Sequence, residues 1–270
     1  MKKRVLFLTF SLAFAWCLPL RTHAQQQASI ALAPSEANLA GNPGSTVSQE
    51  LTVVNDGTGA FLLKCYFNDL WYKDDKSVTG ELGAFKERQA SQWVQCSPNR
   101  ILVPAKGQQK VKVLAAIPKN ADGDYFSTFY AEMRPPEELK NPGTNAEVQM
   151  AGRIAARVVV TALGTQKVAA EILNPAISSS KKFQVFKATV KNTGNVHLQG
   201  NGTLVITDSG EKVITKVNIT LPFVFPGQSR SLSSNLVESV PPGTYKGLLS
   251  VAPTGKGSPF VKEFSIKVGS

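Results

Sequence analysis

Few side chains in this sequence have the types and spacing that catalysis or metal binding requires. Of its two histidines, His197 follows an Asn-Thr-Gly turn, where an exposed loop side chain is expected. Asp69, Asp74 and Asp75 lie near two aromatic residues and could form a sugar or calcium site, but their spacing does not match a calcium loop and an exposed hairpin fits them better. The sequence has no Gly-x-Ser-x-Gly motif and no glycine-rich phosphate loop. It therefore predicts a protein that is not an enzyme and uses no cofactor and no metal.

Two cysteines, Cys65 and Cys96, lie outside the apolar N-terminal segment. Alternation places Cys65 on one face with Leu63 and Phe67, and Cys96 on one face with Val94, so both are expected to point inward. An oxidising compartment would allow a disulfide between them. Two separate buried thiols are the other interpretation, because the sequence does not give the distance between the Cβ atoms. No further Cys or His lies nearby to complete a zinc site.

Short alternating segments separated by turn residues make up most of the chain. Two of them end in an Asn-x-Gly turn, at residues 55–57 and 192–194, where positive φ is tolerated. Each is followed several strands later by a Gly-x-Tyr step, at residues 123–125 and 243–245, which resembles the tyrosine corner of immunoglobulin-like sandwiches. This pattern predicts an all-β fold class with two tandem immunoglobulin-like β-sandwich domains. The predicted domains are residues 25–164 and residues 167–270.

The first 24 residues have the layout of a secretory signal peptide. A basic Lys2-Lys3-Arg4 start precedes an apolar stretch at residues 5–20, and Ala24 is the expected cleavage position. The apolar stretch is shorter than the roughly 20 residues that a membrane span needs. A retained membrane anchor is the alternative. We therefore expect a periplasmic protein with no integral membrane segment, whose association with the cell surface stays open.

The charge of the chain does not indicate a nucleic-acid partner. Lys and Arg exceed Asp and Glu, giving a formal net charge of +11, and part of this excess belongs to the predicted leader. The remaining cations are scattered along strands opposite apolar positions instead of being clustered among exposed aromatic residues. This distribution is typical of solvated sheet faces, so we expect no nucleic acid binding.

A series of short segments in the first predicted domain forms a pattern. The segments are residues 29–34, 43–44, 51–55, 92–98, 101–104, 107–108, 117–118, 125–130 and 134–135. They resemble the N-terminal domain of the PapD-like periplasmic pilus-assembly chaperones, over about half of the chain. The second predicted domain looks more like a generic bacterial immunoglobulin-like domain.

The resemblance implies a way of binding a partner. In that family the strand after the long loop stays open and pairs with a strand of a subunit by β-strand addition. Here the corresponding strand is residues 147–163, and the resemblance implies that Val148 and Met150 face the groove. Ile154, Ala156 and Val158 would then point into the core.

A basic pair in that family, one residue on the first strand and one on this last strand, holds the terminal carboxylate of the subunit. Arg153 or Arg157 would match the second position, because an Arg fork suits a carboxylate. The first position falls at Ser35 and Glu36, where an acid replaces the base. A solvent-facing stripe on an ordinary strand is the other interpretation of the two arginines.

Two functional hypotheses follow. In the first, a periplasmic chaperone-like protein binds an exported subunit of a pilus or other surface structure by β-strand addition. In the second, the protein is a non-catalytic immunoglobulin-like scaffold or adhesion protein of the cell envelope. A stoichiometric complex with a less stable partner would distinguish the first from the second.

Overall fold

The computed structural model describes residues 29–73, 76–134, 152–179, 183–253 and 260–269, and in these ranges the regular structure consists of β-strands. The strands up to residue 162 are β1 (Ile30–Ala33), β2 (Glu36–Gly41), β3 (Thr46–Asn55), β4 (Phe61–Lys73), β5 (Lys76–Gly80), β6 (Val94–Ser97), β7 (Arg100–Val103), β8 (Gln108–Ala116), β9 (Gly123–Arg134) and β10 (Arg153–Ala162). The later strands are β11 (Ala170–Ser179), β12 (Gln184–Asn192), β13 (Leu198–Thr207), β14 (Val213–Val224), β15 (Ser229–Asn235), β16 (Gly243–Pro253) and β17 (Phe260–Val268). Within the described ranges, no helix has the length and hydropathy of a membrane span. The predicted leader and the predicted groove residues Val148 and Met150 lie outside these ranges.

Strands β1 to β10 form the first sandwich, in which two sheets enclose one core. One sheet has the strand order β1-β3-β8-β6, and the other has the order β2-β10-β9-β4-β5 with β7 paired to β4. Alternate residues of the strands point inward, because a strand turns successive side chains to opposite faces. Leu51, Leu63, Val113, Phe129 and Val158 are fully buried in this core.

Strands β11 to β17 form the second sandwich, from one sheet with the order β11-β12-β15 and another with the order β14-β13-β16-β17. Its core contains the fully buried Phe186, Leu204, Ile206, Leu221 and Ile266. The predicted all-β fold with two tandem immunoglobulin-like sandwiches is confirmed. The bounds assigned to the two domains stay a prediction.

The repeated Asn-x-Gly turn has the same structural role in both sandwiches. Asn55 is fully buried, its Nδ2 donates to two carbonyl oxygens at 2.7 and 3.0 Å, and its Oδ1 accepts from the Gly57 amide at 2.9 Å. Asn192 repeats this arrangement, with Nδ2 donating at 2.8 and 3.0 Å and Oδ1 accepting from the Gly194 amide at 2.9 Å. One side chain therefore satisfies the main-chain groups that each turn leaves inside the protein.

The two Gly-x-Tyr steps differ in what the tyrosine does. The Tyr245 hydroxyl donates to the carbonyl oxygen of Pro241, four residues upstream, at 2.9 Å, as in a tyrosine corner. The Tyr125 hydroxyl instead lies 3.3 Å from Oδ1 of Asp122. The resemblance to a tyrosine corner therefore holds for the second sandwich, while the first uses its Gly-x-Tyr step at the contact between the sandwiches.

Strand β2 is one of two elements of the first sandwich that the sequence pattern does not predict, the other being β5. It lies parallel to β10, in a register that pairs Arg157 with Glu36 and Ala162 with Gly41. Strand β1, only two residues earlier, pairs with β3 in the opposite sheet. The start of the described chain thus changes sheet between β1 and β2, and β2 covers part of an edge of β10.

An apolar cluster joins the two sandwiches. It contains Leu70, Tyr72, Phe126 and Val159 from the first sandwich and Phe223 and Phe225 from the second. The rings of Phe126 and Phe225 meet edge to face, with centroids 4.6 Å apart. The first-sandwich members lie on the face of the β10-containing sheet that points away from the core, which we call the outer face.

Gly123 allows the main chains of the two sandwiches to approach closely. Its φ is +64°, and a Cβ placed on it would lie 2.1 Å from the carbonyl oxygen of Asn195. Both the left-handed conformation and the lack of space require glycine here.

Candidate functional site

The edge of β10 that faces away from β9 is only partly covered. Residues 157–162 pair with β2 on that side, whereas the structure pairs residues 153–156 only with β9 among its described strands. The Met133 amide donates to the Gly152 carbonyl at 2.8 Å, and the Arg157 amide donates to the Ser35 carbonyl at 3.1 Å. Because the direction of the main-chain groups alternates along a strand, the amide and carbonyl groups of Arg153 and Ala155 face the edge that β2 leaves open.

The side chains of β10 divide between the two faces of the sheet as the sequence predicts. Ala156 and Val158 are buried in the core, and Ile154 packs against it. Arg153, Ala155 and Arg157 alternate with these residues and lie on the outer face. The two candidate arginines therefore belong to one face of one strand.

Arg157 is already paired within the chain. Its Nη1 lies 2.9 Å from Oε2 of Glu36, its neighbour across β2, and both side chains are less than one third exposed. Its guanidinium also lies over the ring of Phe223, 3.9 Å from the centroid. The acid that replaces the expected base thus neutralises the arginine at the contact between the two sandwiches.

Arg153 has a different set of partners. Its guanidinium lies over the ring of Tyr130, 4.6 Å from the centroid. The Tyr66 hydroxyl interacts with both Arg153 and Glu132, and its hydrogen bond raises the pKa of Arg153 above the usual value. Arg153 and Arg157 are not brought together on one anion, because they are four positions apart along an extended strand, a separation of roughly 13 Å.

The site contains one polar atom for which the structure gives no partner. Thr128 lies opposite Arg157 on β9, so the two side chains share the outer face. Its Oγ1 is buried, and the described residues supply it with no hydrogen bond. Such a group costs free energy unless a water molecule or a ligand satisfies it.

His197 is not the exposed loop residue that the sequence predicts. It is 6% exposed, its Nδ1 lies 2.6 Å from Oδ2 of the fully buried Asp124, and its amide donates to the same oxygen at 2.8 Å. Thr161 donates to Oδ1 of Asp124 at 2.7 Å. The His197 ring stacks on Phe223 at 4.4 Å, with an interplanar angle of 8°. This polar cluster joins the sandwiches, and the sequence does not reveal it because its members lie far apart along the chain.

Asp69, one of the residues considered for a sugar or calcium site, serves the fold instead. Asp69 is fully buried, and its Oδ2 accepts from the amides of Gly83 at 2.9 Å and Phe85 at 3.1 Å. Its Oδ1 accepts from the Ser91 hydroxyl. The expectation of an exposed hairpin residue is wrong for Asp69, while Asp74 and Asp75 lie outside the described ranges. The part of the chain that the structure describes has no group of three or more His, Cys, Asp and Glu side chains placed to hold a metal.

Cys65 and Cys96 are free thiols in the structure, which is the arrangement expected if no bridge forms. Cys65 is buried and Cys96 is half-buried. Burial raises the pKa of Cys65 to about 12, with a smaller contribution from Cys96, and raises the pKa of Cys96 to about 11. Both thiols are therefore poor nucleophiles at neutral pH.

No family model matches this sequence, and a search of curated proteins finds no relative. Solved structures do match its fold. One comes from a chaperone–tip adhesin complex described as vital for synergistic activation of CFA/I fimbriae biogenesis. It has 13% sequence identity and a TM-score of 0.53, and the match covers 87% of this chain and 98% of the other. Another is the class 5 fimbriae chaperone CfaA, with 14% identity, a TM-score of 0.53 and the same coverage. The PapD-like resemblance is thus confirmed for the fold, and it extends beyond the first sandwich into the second.

Proposed function

We propose that this protein is a periplasmic chaperone that binds an exported protein subunit, a pilin-like or other surface-structure component, by adding a strand of that subunit to the open edge of β10. The observation that carries the proposal is the half-covered edge of β10 that faces away from β9: β2 pairs with residues 157–162 on that edge, and no described strand pairs with residues 153–156 on it. Unpaired main-chain groups on such an edge are a template for another strand. The similarity of fold to the fimbriae chaperone CfaA supports this proposal.

The proposed activity needs no catalysis. Holding a strand requires main-chain hydrogen bonds and side-chain contacts, and it breaks no covalent bond in the guest. The buried His197 and Asp124 act in this proposal as structural links between the sandwiches. Location in the periplasm and cleavage after Ala24 are part of the proposal and agree with the signal-peptide pattern at the start of the sequence.

The predicted carboxylate-binding role of Arg157 takes a modified form. Because Glu36 holds the guanidinium at 2.9 Å, a guest carboxylate would have to displace Glu36 to reach it. Replacing Glu36 by Gln removes this competition, so we expect Glu36→Gln to bind a guest with a free terminal carboxylate more tightly than the parent protein. Amidating the terminus of the guest should abolish that difference, and a difference that persists would contradict an exchange at Arg157.

Two substitutions at one position test the strand addition. Ala155→Pro removes the amide that faces the open edge, and it leaves the bonds to β9 intact because that amide does not point toward β9. Ala155→Val keeps the amide and serves as the matched control. Each variant is expressed with its leader, and the protein is purified from the periplasm with any bound subunit.

We expect Ala155→Pro to lose the stoichiometric partner and Ala155→Val to keep it. Hydrogen exchange of the complex should show slower exchange of the Arg153 and Ala155 amides than in the free protein. Equal partner recovery with both variants, or unchanged exchange at these amides, would contradict binding at this edge. The non-catalytic scaffold of the cell envelope would then be the function that remains. Charged substitutions at Val148 and Met150 stay a further prediction for loss of binding.

A further inference from the structure

A row of charged residues crosses the outer face at the open end of β10. Arg100 of β7 lies opposite Lys64 of β4. Lys64 lies opposite Glu132 of β9, and Glu132 lies opposite Arg153 of β10. Directly opposite residues of neighbouring strands have their Cβ atoms about 5 Å apart, so each charge in the row acts on the next. From β7 to β10 the row therefore reads positive, positive, negative, positive, and it ends on a cation at the open edge.

The charged pair at Arg157 shows which residue lies beside an arginine of β10 where β2 covers the edge. There the outer-face residue of β10 is Arg157, and the residue opposite it on β2 is Glu36. The two side chains form a hydrogen-bonded ion pair at 2.9 Å. Where the chain covers its own edge, it thus places an acidic residue beside the arginine of β10.

Arg153 is held in position for a similar neighbour. It is exposed, its guanidinium lies 4.6 Å from the centroid of the Tyr130 ring, and it interacts with the Tyr66 hydroxyl. Glu132 faces two cations in this row, Lys64 on one side and Arg153 on the other, and Arg100 lies beyond Lys64, so the row carries an excess of two positive charges. A further acidic residue beside Arg153 would reduce this excess.

We propose that the guest strand carries an Asp or Glu side chain on its outer face directly beside Arg153. This inference rests on the proposed strand addition, and it adds the chemistry of the guest at a defined register. A Lys or Arg at the same guest position meets the like charge of Arg153, which is unfavourable across neighbouring strands. Ala155 is small and sets no charge requirement at the guest position beside it, which makes it a suitable attachment point.

The test attaches a strand at that register. The variant Ala155→Cys is equilibrated, in a thiol redox buffer, with labelled synthetic peptides of about eight residues that alternate Val and Thr and contain one Cys. One peptide has Glu two positions from the Cys, and the other has Lys at that position. Each is made in two forms, with the charged residue before or after the Cys, so that both parallel and antiparallel pairing are tested. A peptide with Pro at alternate positions, which cannot pair as a strand, measures the background.

We expect the Glu peptide to form the mixed disulfide at a two- to fivefold higher equilibrium constant than the Lys peptide, as an estimate for an exposed cross-strand pair. Adding Arg153→Glu should reverse this preference, while the control Lys187→Glu, an exposed position on β12, should leave it unchanged. Higher salt should reduce the preference in the Ala155→Cys protein itself.

The outcomes separate the two levels of the proposal. Equal yields of the Glu and Lys peptides, both above the Pro peptide, would refute the acidic requirement and leave strand addition standing. If all peptides react only as the Pro peptide does, strand addition at this edge fails as well. A Glu preference that Arg153→Glu does not reverse would show that another cation is responsible and would also overturn the inference.

Discussion

Asp124 offers the most demanding test of how the sandwiches are joined. Its carboxylate is fully buried and accepts hydrogen bonds from the His197 amide and the Thr161 hydroxyl, with the His197 ring nitrogen at 2.6 Å. Asp124→Ala leaves these groups without their acceptor in a buried place. Removing one partner of a buried pair costs about 3–5 kcal/mol, which corresponds to a fall in Tm of roughly 6–20 °C for a chain of this size.

Tryptophan fluorescence during urea denaturation can measure this effect. Trp71 lies 5.4 Å from the ring of Phe225 at the contact between the sandwiches, and Trp93 lies 4.2 Å from Tyr125 in the first sandwich. Asp124→Asn, which keeps the volume and one acceptor oxygen, should lose less stability than Asp124→Ala.

The matched control is Asp56→Ala, which removes an exposed carboxylate in the turn between β3 and β4. It should change the free energy of unfolding by no more than about 0.5 kcal/mol. If Asp124→Ala costs no more than this control, the buried cluster does not stabilise the protein and the reasoning is wrong.

Four further predictions concern the contact between the sandwiches and the two thiols. Gly123→Ala should cost more stability than Gly164→Ala by about 1–3 kcal/mol in chemical denaturation, and equal losses would contradict this. Both sites have positive φ, but only at Gly123 would the added Cβ lie 2.1 Å from a carbonyl oxygen. Phe225→Ala, which removes a side chain 1% exposed, should lower the free energy of unfolding by about 3–5 kcal/mol, and a loss below about 1 kcal/mol would argue against a packed contact. At pH 8 Cys65 and Cys96 should react slowly with a thiol reagent in the folded protein and fully in the denatured protein. The reason is that burial raises the pKa values of the two thiols to about 12 and about 11. If the protein, denatured without reduction, has no reactive thiol, a disulfide is present instead. Since the unfolded thiols ionise at a lower pH than the folded ones, the free energy of unfolding should fall as the pH rises above about 8.5.

The predictable part of the structure is the part with local periodicity. Residues 46–55 alternate apolar and polar side chains and end in an Asn-x-Gly turn, and β3 spans that predicted range. The inward positions of Ile154, Ala156 and Val158 follow from the same period of two. Patterns of this kind depend only on neighbours in sequence, so the sequence suffices to read them.

The unpredicted part depends on residues that are distant in sequence. β2 is a segment of only six residues, and it becomes a strand because β10, more than one hundred residues later, offers an edge beside it. His197 follows a turn like an exposed residue, and it is buried because Asp124 and Phe223 approach it from two other strands. The ion pair between Arg157 and Glu36 likewise depends on the parallel register that places the two residues side by side.

The crossing of the chain from β1 to β2 has one more consequence for a strand that docks on β10. The carbonyl of Ser35 accepts a hydrogen bond from the amide of Arg157, so the open part of the β10 edge ends at Arg157. In the proposed strand addition, a guest strand could not pair with β10 beyond this residue. The crossing would therefore limit how far the guest extends along β10 and would favour one pairing register over the others.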